Sequence, residues 1–518
     1  MDNEKQHTLA AAIERFPTFS EIVDHTSRKF PDQLFLIEGE HKWTYAAFNK
    51  MVNQCCYFLQ SEGLGQGDII SVILRNSIDY LLLYFAALRS RIILNPFPFH
   101  LSGEEVLSKV EIISPKIIFC HRNHIKALSK SPFIVRNLDE CEGGSFIERV
   151  QKYPINPFPS PDVDTTRTAI MYYSSGTTGS PKIIEYSYKS MVVTQASMLR
   201  SGFTTPGSVH ICVLPLGHTA SLRYTIQQCI CTGSTVVLYE SFWKVRANLW
   251  DEIERHKVTF IEIVPSIIIA ILNTPYKNFT QEKVATIDFI GCGSSFLPQN
   301  LQEAFEHKFG IPLANLYGLS ETGATHFDNP REPGRRAGSI GRPFDIVDVV
   351  LFDENRQEVK EGELGEFGIK GPGLLKGYYK NHKLYEESFH NGYFMTGDLG
   401  VKDKEGLYYY CERKKDLIIK GGVNIVPSQI DETLISHPSI KEAATIGKPD
   451  ILLGETIKSY VVVKDGFHTD SKELKIYCKE KLGDFKTPAE FVFIDALPKG
   501  PSGKILKREL REREGICR

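Results

Sequence analysis

DIISVILRNSIDYLLLYFAALRSRIILNPF, residues 68–97, decides the fold. DIISVILRN (68–76) is an apolar run of strand length bounded by polar residues, and it reads as a buried strand. Residues 77–89 read as a helix, and RIILNPF (91–97) as a second strand. The apolar stretch inside that helix, YLLLYFAAL (80–88), is too short to span a bilayer and is expected to be buried. Strand, helix, strand is the signature of an α/β chain with parallel sheets. The pattern extends both ways. WTYAAFNKMVNQCCYFLQSE (43–62) has helical character ending at Gly63, and KIIFC (116–120) is a further strand. SVHICVLPL (208–216), TVVLYE (235–240), TFIEIVP (259–265) and TIDFIGCG (286–293) are strands; segments 221–233, 248–256 and 297–310 are helices.

The character changes over 346–400, where IVDVVLFD and GELGEFGIKG are separated by turn residues, as in an antiparallel sheet or β-barrel. After the charged stretch ERKKD (412–416), α/β patterning resumes. The expected organisation is a large N-terminal domain over 1–411, a boundary at 412–416 and a small C-terminal domain over 417–518.

A chain of 518 residues exceeds the size at which one core stops growing, which agrees with more than one domain. Apolar content of 42% and charged content of 24% are those of an ordinary globular protein. The 61 basic and 63 acidic residues leave a net charge of −2, so neither nucleic acid nor an acidic membrane surface is an expected partner. The 11 cysteines lack C-x-x-C spacing and fit buried free thiols in a reducing compartment. The polar N-terminus, MDNEKQHTLAAAIERF, is no secretory signal, and a cytoplasmic location is expected.

The chemistry starts at SSGTTGSPK (174–182). Hydroxyls and bare backbone N–H groups, glycines that let the chain approach an anion, and the charge of Lys182 together suit phosphate. The stretch lacks the G-x-x-x-x-G-K-[ST] pattern of kinases and GTPases. In NLYGLSETGA (315–324), Glu321 beside Ser320 suits Mg²⁺, a hard ion that takes oxygen ligands, and Tyr317 offers a face to a base. In GYFMTGDLG (392–400), Asp398 is expected in a glycine-flanked turn where it could accept two ribose hydroxyls. Arg413 follows, and LPKGPSGKILKREL (497–510) sets Lys504 at the start of a helical run. Taken singly these residues read as capping acids, an Asx turn and solvated charges; their combination and order carry the argument.

In that order they resemble the adenylate-forming superfamily of acyl- and aryl-CoA synthetases, peptide-synthetase adenylation domains and luciferases. YSSGTTGSPK is similar to its phosphate loop, YGLSE to its Tyr-Gly-x-Thr-Glu motif and YFMTGDLG to its ribose-aspartate motif. RKKDLIIKGGVNI is similar to its hinge motif and PSGKILKREL to its C-terminal lysine motif. The resemblance implies two α/β subdomains plus a β-barrel, followed by a mobile α+β C-terminal domain. It implies ATP and Mg²⁺, a small carboxylic acid, and CoA as the favoured acceptor, with an amine or a carrier-protein thiol as alternatives. Ser174, Ser175, Gly176, Thr177, Thr178, Gly179 and Lys182 would grip the β- and γ-phosphates, and Thr178 with Glu321 would serve Mg²⁺. Gly293, Ser294, Ser295, Asn315 and Tyr317 would form the adenine pocket, and Gly318 and Ser320 would belong to the same ATP site. Asp398 and Arg413 would hold the ribose, Lys504 would contact the reacting carboxylate and α-phosphate, and Lys415 matches the hinge position.

LPLGHTASLRYT (214–225) matches the acyl-pocket segment, with His218 at a gating position and Ala220, Ser221 and Tyr224 lining the pocket. No aspartate stands there to pair with an α-ammonium group, which argues against an α-amino acid. Arg223 reads as a solvated helix arginine in preference to a partner for a polar acid, and small Ala220 and Ser221 leave room for a bulky cyclic or aryl group. Four positions depart from the pattern: Ile183 for a glycine, Tyr188 for a histidine, Gly217 for an aromatic residue and Gln429 for a glutamate. Ile183, Tyr188 and Gln429 do not touch the expected chemistry directly, whereas Gly217 lies in the acyl-pocket segment. A phosphotransferase making ADP, and an acyl-binding protein without activity, are the rival classes. The loop pattern opposes the first, and the full set Lys182, Glu321, Asp398, Arg413 and Lys504 opposes the second.

Overall fold

The computed structural model describes residues 3–139, 144–174, 182–276, 279–499 and 505–516. Four sheets organise them. The first has nine strands, and its centre is the parallel series Leu313–Leu319, Phe289–Gly293, Phe260–Ile263, Val209–Cys212, Thr235–Leu238 and Leu34–Glu38. Antiparallel edges close it, with Gly323–Phe327 and Arg342–Pro343 on one side and His41–Thr44 on the other. The second has seven strands, in the order Gly377–Tyr378, Lys182–Ser187, Thr168–Ser174, Ile93–Pro96, Ile69–Ile73, Ile117–Cys120 and Ile134–Asn137. Residues 348–413 form the third, an antiparallel five-stranded sheet. The chain leaves it at Arg413 and enters a fourth, five-stranded sheet at Ile418.

The opening stretch folds as its pattern predicts, into strand Ile69–Ile73, helix Ile78–Arg89 and strand Ile93–Pro96. Ser77 caps the helix through the Tyr80 N–H, satisfying one of the donors that a helix start leaves open. Every residue of the helix except Asp79 is buried, so it is held by packing on all sides rather than by an amphipathic face. Its last residue, Arg89, is 1% exposed and gives hydrogen bonds to Ser20, Asp24, Asn49 and Asn53, tying three helices together.

Several expectations shift. The helix expected from residue 43 begins at Tyr45; Trp43 lies on the His41–Thr44 strand, and the Thr44 hydroxyl caps the helix by accepting from the Ala47 N–H. The helix expected over 221–233 is a π-helix, Ser221–Gln227, followed by an α-helix, Gln228–Thr232. Asp398 is not in a turn. It lies inside the strand Tyr393–Lys402, in register with Arg413 on Tyr408–Arg413.

The departures from the family pattern are absorbed by packing. Ile183 is 3% exposed and packs with Ile113 and Met171, and Tyr188 is 2% exposed beneath the Arg91 guanidinium. A Cβ at Gly217 would lie 2.3 Å from the Phe97 carbonyl oxygen, so the backbone of Phe97 occupies the room a side chain would need. Gln429 accepts a hydrogen bond from Lys486 at the surface. No disulfide forms among the described cysteines, of which all but Cys411 are buried. Among the described residues no helix is long and apolar enough to cross a membrane.

One buried acid is out of place in such a core. Glu262, at the middle of the Phe260–Ile263 strand, is 2% exposed, and neither carboxyl oxygen has a hydrogen-bond partner. Burial pushes its carboxyl up to about 8. The native state therefore holds a proton that the unfolded chain releases above its ordinary value. This group's contribution to stability falls as pH rises through the range between the two values and levels off above about 8. Glu262→Gln is expected to remove that slope. Its unfolding free energy relative to wild type should rise between pH 5 and pH 8, by an amount on the order of a few kcal/mol. A constant difference across that range would show that Glu262 is ionised in the fold.

Candidate active site

Three sheets meet at one place. The nine-stranded sheet contributes the Leu313–Leu319 strand and the turn into Gly323–Phe327, which carries Ser320 and Glu321. The seven-stranded sheet contributes Lys182, first residue of Lys182–Ser187, and Tyr378 on the neighbouring edge strand. The third sheet contributes Asp398 and Arg413.

The turn is shaped by glycine. A Cβ on Gly318 would sit 1.9 Å from the Gly323 carbonyl oxygen, so only glycine lets the two strands close there. Gly318→Ala is expected to force the strands apart, displace Glu321 and cost about 10² in turnover, with a lower thermal midpoint. Gly65→Ala, with open space at its Cβ position, is the matched control. Unchanged turnover in Gly318→Ala would remove this account of the turn. The turn is also tethered, because the Tyr186 hydroxyl donates to the Ser320 carbonyl at 2.7 Å and the Leu375 N–H to the Glu321 carbonyl at 2.8 Å.

Among the described residues the Glu321 carboxyl is met by its own backbone N–H and, weakly, by the Tyr378 hydroxyl at 3.5 Å. Burial raises its pKa, while the charges of Lys182 and Arg413 pull it back. Lys182 Nζ stands 5.6 Å from the centre of the Tyr378 ring. A desolvated carboxylate with spare lone pairs beside a lysine is suited to a hard cation that carries phosphate oxygens. Mg²⁺ takes few protein ligands and the rest from water and phosphate. The residues present fit that ion. Thr178, its other expected ligand, lies outside the described residues, as do Ser175, Gly176, Thr177, Gly179 and Lys504; Ser174 is placed only as the last residue of a strand.

Asp398 is 1% exposed. It accepts a hydrogen bond from the Tyr317 hydroxyl at 2.9 Å and pairs with Arg413 Nε at 2.5 Å. The Tyr317 ring packs among Phe367, His326 and Tyr410, and burial together with the Asp398 charge holds its hydroxyl protonated. Gly293 ends the Phe289–Gly293 strand, and Ser294 follows with φ +63°, a left-handed conformation that turns the chain toward Ser295. Asn315 is buried, and its amide donates to the Ser339 carbonyl at 3.3 Å. Lys415 lies in the single turn Lys414–Asp416 between the third and fourth sheets.

At the start of the π-helix, His218 Nδ1 accepts from the Ala220 N–H at 3.4 Å. Burial, with help from the charges of Arg223 and His100, pushes its pKa down to about 4, so it is neutral at pH 7. Ala220 and Tyr224 are buried in a cluster with Phe203, Phe260 and Leu316. The Ser221 hydroxyl donates to the Pro215 carbonyl. Arg223 is not a solvated helix arginine. Its guanidinium stacks 5.3 Å from the centre of the Tyr186 ring and lines a cavity between the seven-stranded sheet and the helices Ile78–Arg89 and Tyr188–Arg200. The residue types gave no sign of this, because an α-helical projection does not anticipate a π-helix.

Residues 23–379 match the AMP-binding enzyme family, and residues 429–504 match the AMP-binding enzyme C-terminal domain. The sulfoacetate–CoA ligase of Cupriavidus necator is 32% identical over 507 residues, covering 96% of this chain and 98% of that protein. The crystal structure of ATP-bound MatB from Rhodopseudomonas palustris superposes with a TM-score of 0.88 at 25% identity, covering 95% of this chain and 98% of that one. The o-succinylbenzoate CoA synthetase of Bacillus subtilis, in complex with its acyl-adenylate intermediate, superposes with a TM-score of 0.84 at 27% identity over 95% and 97% of the two chains. This chain is thus an AMP-forming ligase in its class. It belongs to the AMP-binding enzyme family, with the large N-terminal and smaller C-terminal parts that such enzymes have.

Proposed function

We propose that the protein joins a carboxylic acid to a thiol in two steps. The acid's carboxylate oxygen attacks the α-phosphorus of ATP; the bond to pyrophosphate breaks and an acyl-adenylate forms. A thiol then attacks the acyl carbon, AMP leaves, and a thioester remains. CoA is the favoured thiol, since both the sulfoacetate enzyme and the o-succinylbenzoate enzyme are named for it. Those two names refer to different acids, so the relatives leave this chain's acid open.

The observation that carries the reading is the meeting of Glu321, Lys182 and the Asp398–Arg413 pair at one junction. Lys182, the last residue of the expected phosphate loop 174–182, is the member of that loop described at the junction. Both reactants are anions, so positive charge must stand where negative charge grows. In this account Lys182 and the loop hold the departing pyrophosphate, and positioning in line supplies much of the rate. Mg²⁺ at Glu321 would neutralise phosphate charge. Asp398 accepts from ribose hydroxyls while Arg413 fixes its carboxylate. Gly293, Ser294, Ser295, Asn315 and Tyr317 surround the base. Neutral His218 borders the acyl pocket. Lys504 approaches the reacting carboxylate and α-phosphate from the C-terminal part, residues 417–518, which turns about 412–416 between the two steps.

A carboxylate panel scored by pyrophosphate release, then repeated with CoA and with amines, tests the reading by mass spectrometry. Pyrophosphate, AMP and a CoA thioester are expected. Release of ADP would overturn the ligase assignment. An amide in place of the thioester would keep the adenylate and replace the acceptor.

A further inference from the structure

Arg223 is a cation that the fold does not neutralise. It stacks 5.3 Å from the centre of the Tyr186 ring and hydrogen-bonds the Tyr186 side chain, and an added Cβ on Gly323 would meet the guanidinium at 3.2 Å. Among the described residues no Asp or Glu forms an ion pair with it. Glu262 feels its charge but is held protonated at neutral pH by burial, with its pKa near 8, and so does not serve as counter-ion. An uncompensated guanidinium inside a domain is costly unless an anion or water meets it.

The surroundings specify what could meet it. Arg223 lines a cavity whose wall mixes the hydroxyl-bearing Tyr172, Tyr186 and Thr219 with the apolar Ile170, Met191 and Leu222, and Arg223 is the one charged side chain in that wall among the described residues. The cavity lies directly behind the catalytic turn, since the Tyr186 hydroxyl that lines it bonds the Ser320 carbonyl, one residue before Glu321. The π-helix turns Arg223 into this space while Ala220 and Tyr224 pack on the apolar cluster. π-Helical turns are rare and frequently mark functional positions.

We propose that this cavity receives a second anionic group, a carboxylate or a sulfonate, on a short acid whose other end is adenylated, and that Arg223 selects for it through a charge-assisted, fork-like pair of hydrogen bonds. The proposal rests on the ligase reading above and names its substrate class. The short reach follows from the cavity's position next to the turn. Selection follows because a monoanionic acid would leave the guanidinium unpaired, and sites reject substrates that leave a buried polar group without its partner.

The test compares pyrophosphate release by the full-length wild-type enzyme with malonate, succinate and 3-sulfopropanoate against propanoate, butanoate and pentanoate. At least one dianionic acid is expected to exceed the monoanion of similar length by about 10² in kcat/KM. Arg223→Gln should erase that gap by raising KM for the dianion, with the monoanions within about threefold of wild type. Arg223→Lys, which keeps the charge and loses the fork, should fall between the two. Carboxylates preferred over the sulfonate, or the reverse, identify the second group. Equal use of both classes by wild type, or an equal loss on both in Arg223→Gln, overturns the proposal. Release with monoanions alone leaves the ligase reading standing and removes this one; no release with any acid removes both.

Discussion

Lys504→Ala is expected to slow acyl-adenylate formation by about 10²–10³, the cost of removing one preorganised charge from a developing anion. Transfer from a preformed acyl-adenylate to the thiol should run at the wild-type rate, because in this account the C-terminal part turns between the two steps and carries the lysine away from the reacting atoms. The two halves separate cleanly: single-turnover pyrophosphate release measures the first, and thioester formation from synthetic adenylate measures the second. A variant that adenylates normally would take the lysine out of the chemistry. One that loses both steps equally would give it a structural role.

Asp398→Ala should have the next largest effect. The carboxylate is 1% exposed and joined to both Arg413 and Tyr317, so its removal strands a guanidinium and a phenol at once. Breaking a fully buried pair from one side typically costs about 3–5 kcal/mol; the Arg413 side chain is 27% exposed, so water meets part of its charge and the cost is expected below that range. The expected result is a fall in thermal midpoint together with a rise in the KM for ATP. Asp398→Asn keeps an acceptor for Tyr317 and should recover part of the stability but little of the ATP affinity. An Asp398→Ala enzyme with normal ATP dependence would separate this pair from the nucleotide.

The layered core was legible because burial on both faces writes strands as unbroken apolar runs. Ile69–Ile73, Ile117–Cys120 and Phe260–Ile263 are found where such runs predict them. Edges were harder: Trp43 continues the helical pattern of its neighbours, and only pairing with the Leu34–Glu38 strand draws it out. The charged residues of the junction were legible as a set, through motifs whose order is specific. Their geometry was not. Asp398 sits between glycines that suggest a turn, yet Gly400 lies at an irregularity within the strand, in close approach to Tyr409 and Phe367. Arg223 was misread for a similar reason: its polarity suggested solvent, while the wider winding of the π-helix brings it to an internal cavity. Ile183 and Tyr188, unexplained beside the phosphate loop, prove to be packing residues.

The central claim is that the acid's own oxygen attacks the α-phosphorus. Turning over an accepted acid labelled with ¹⁸O in its carboxylate tests it most directly. The account predicts one labelled oxygen in the AMP released and none in the pyrophosphate. Label in inorganic phosphate, accompanied by ADP, would mean attack at the γ-phosphorus and would contradict it.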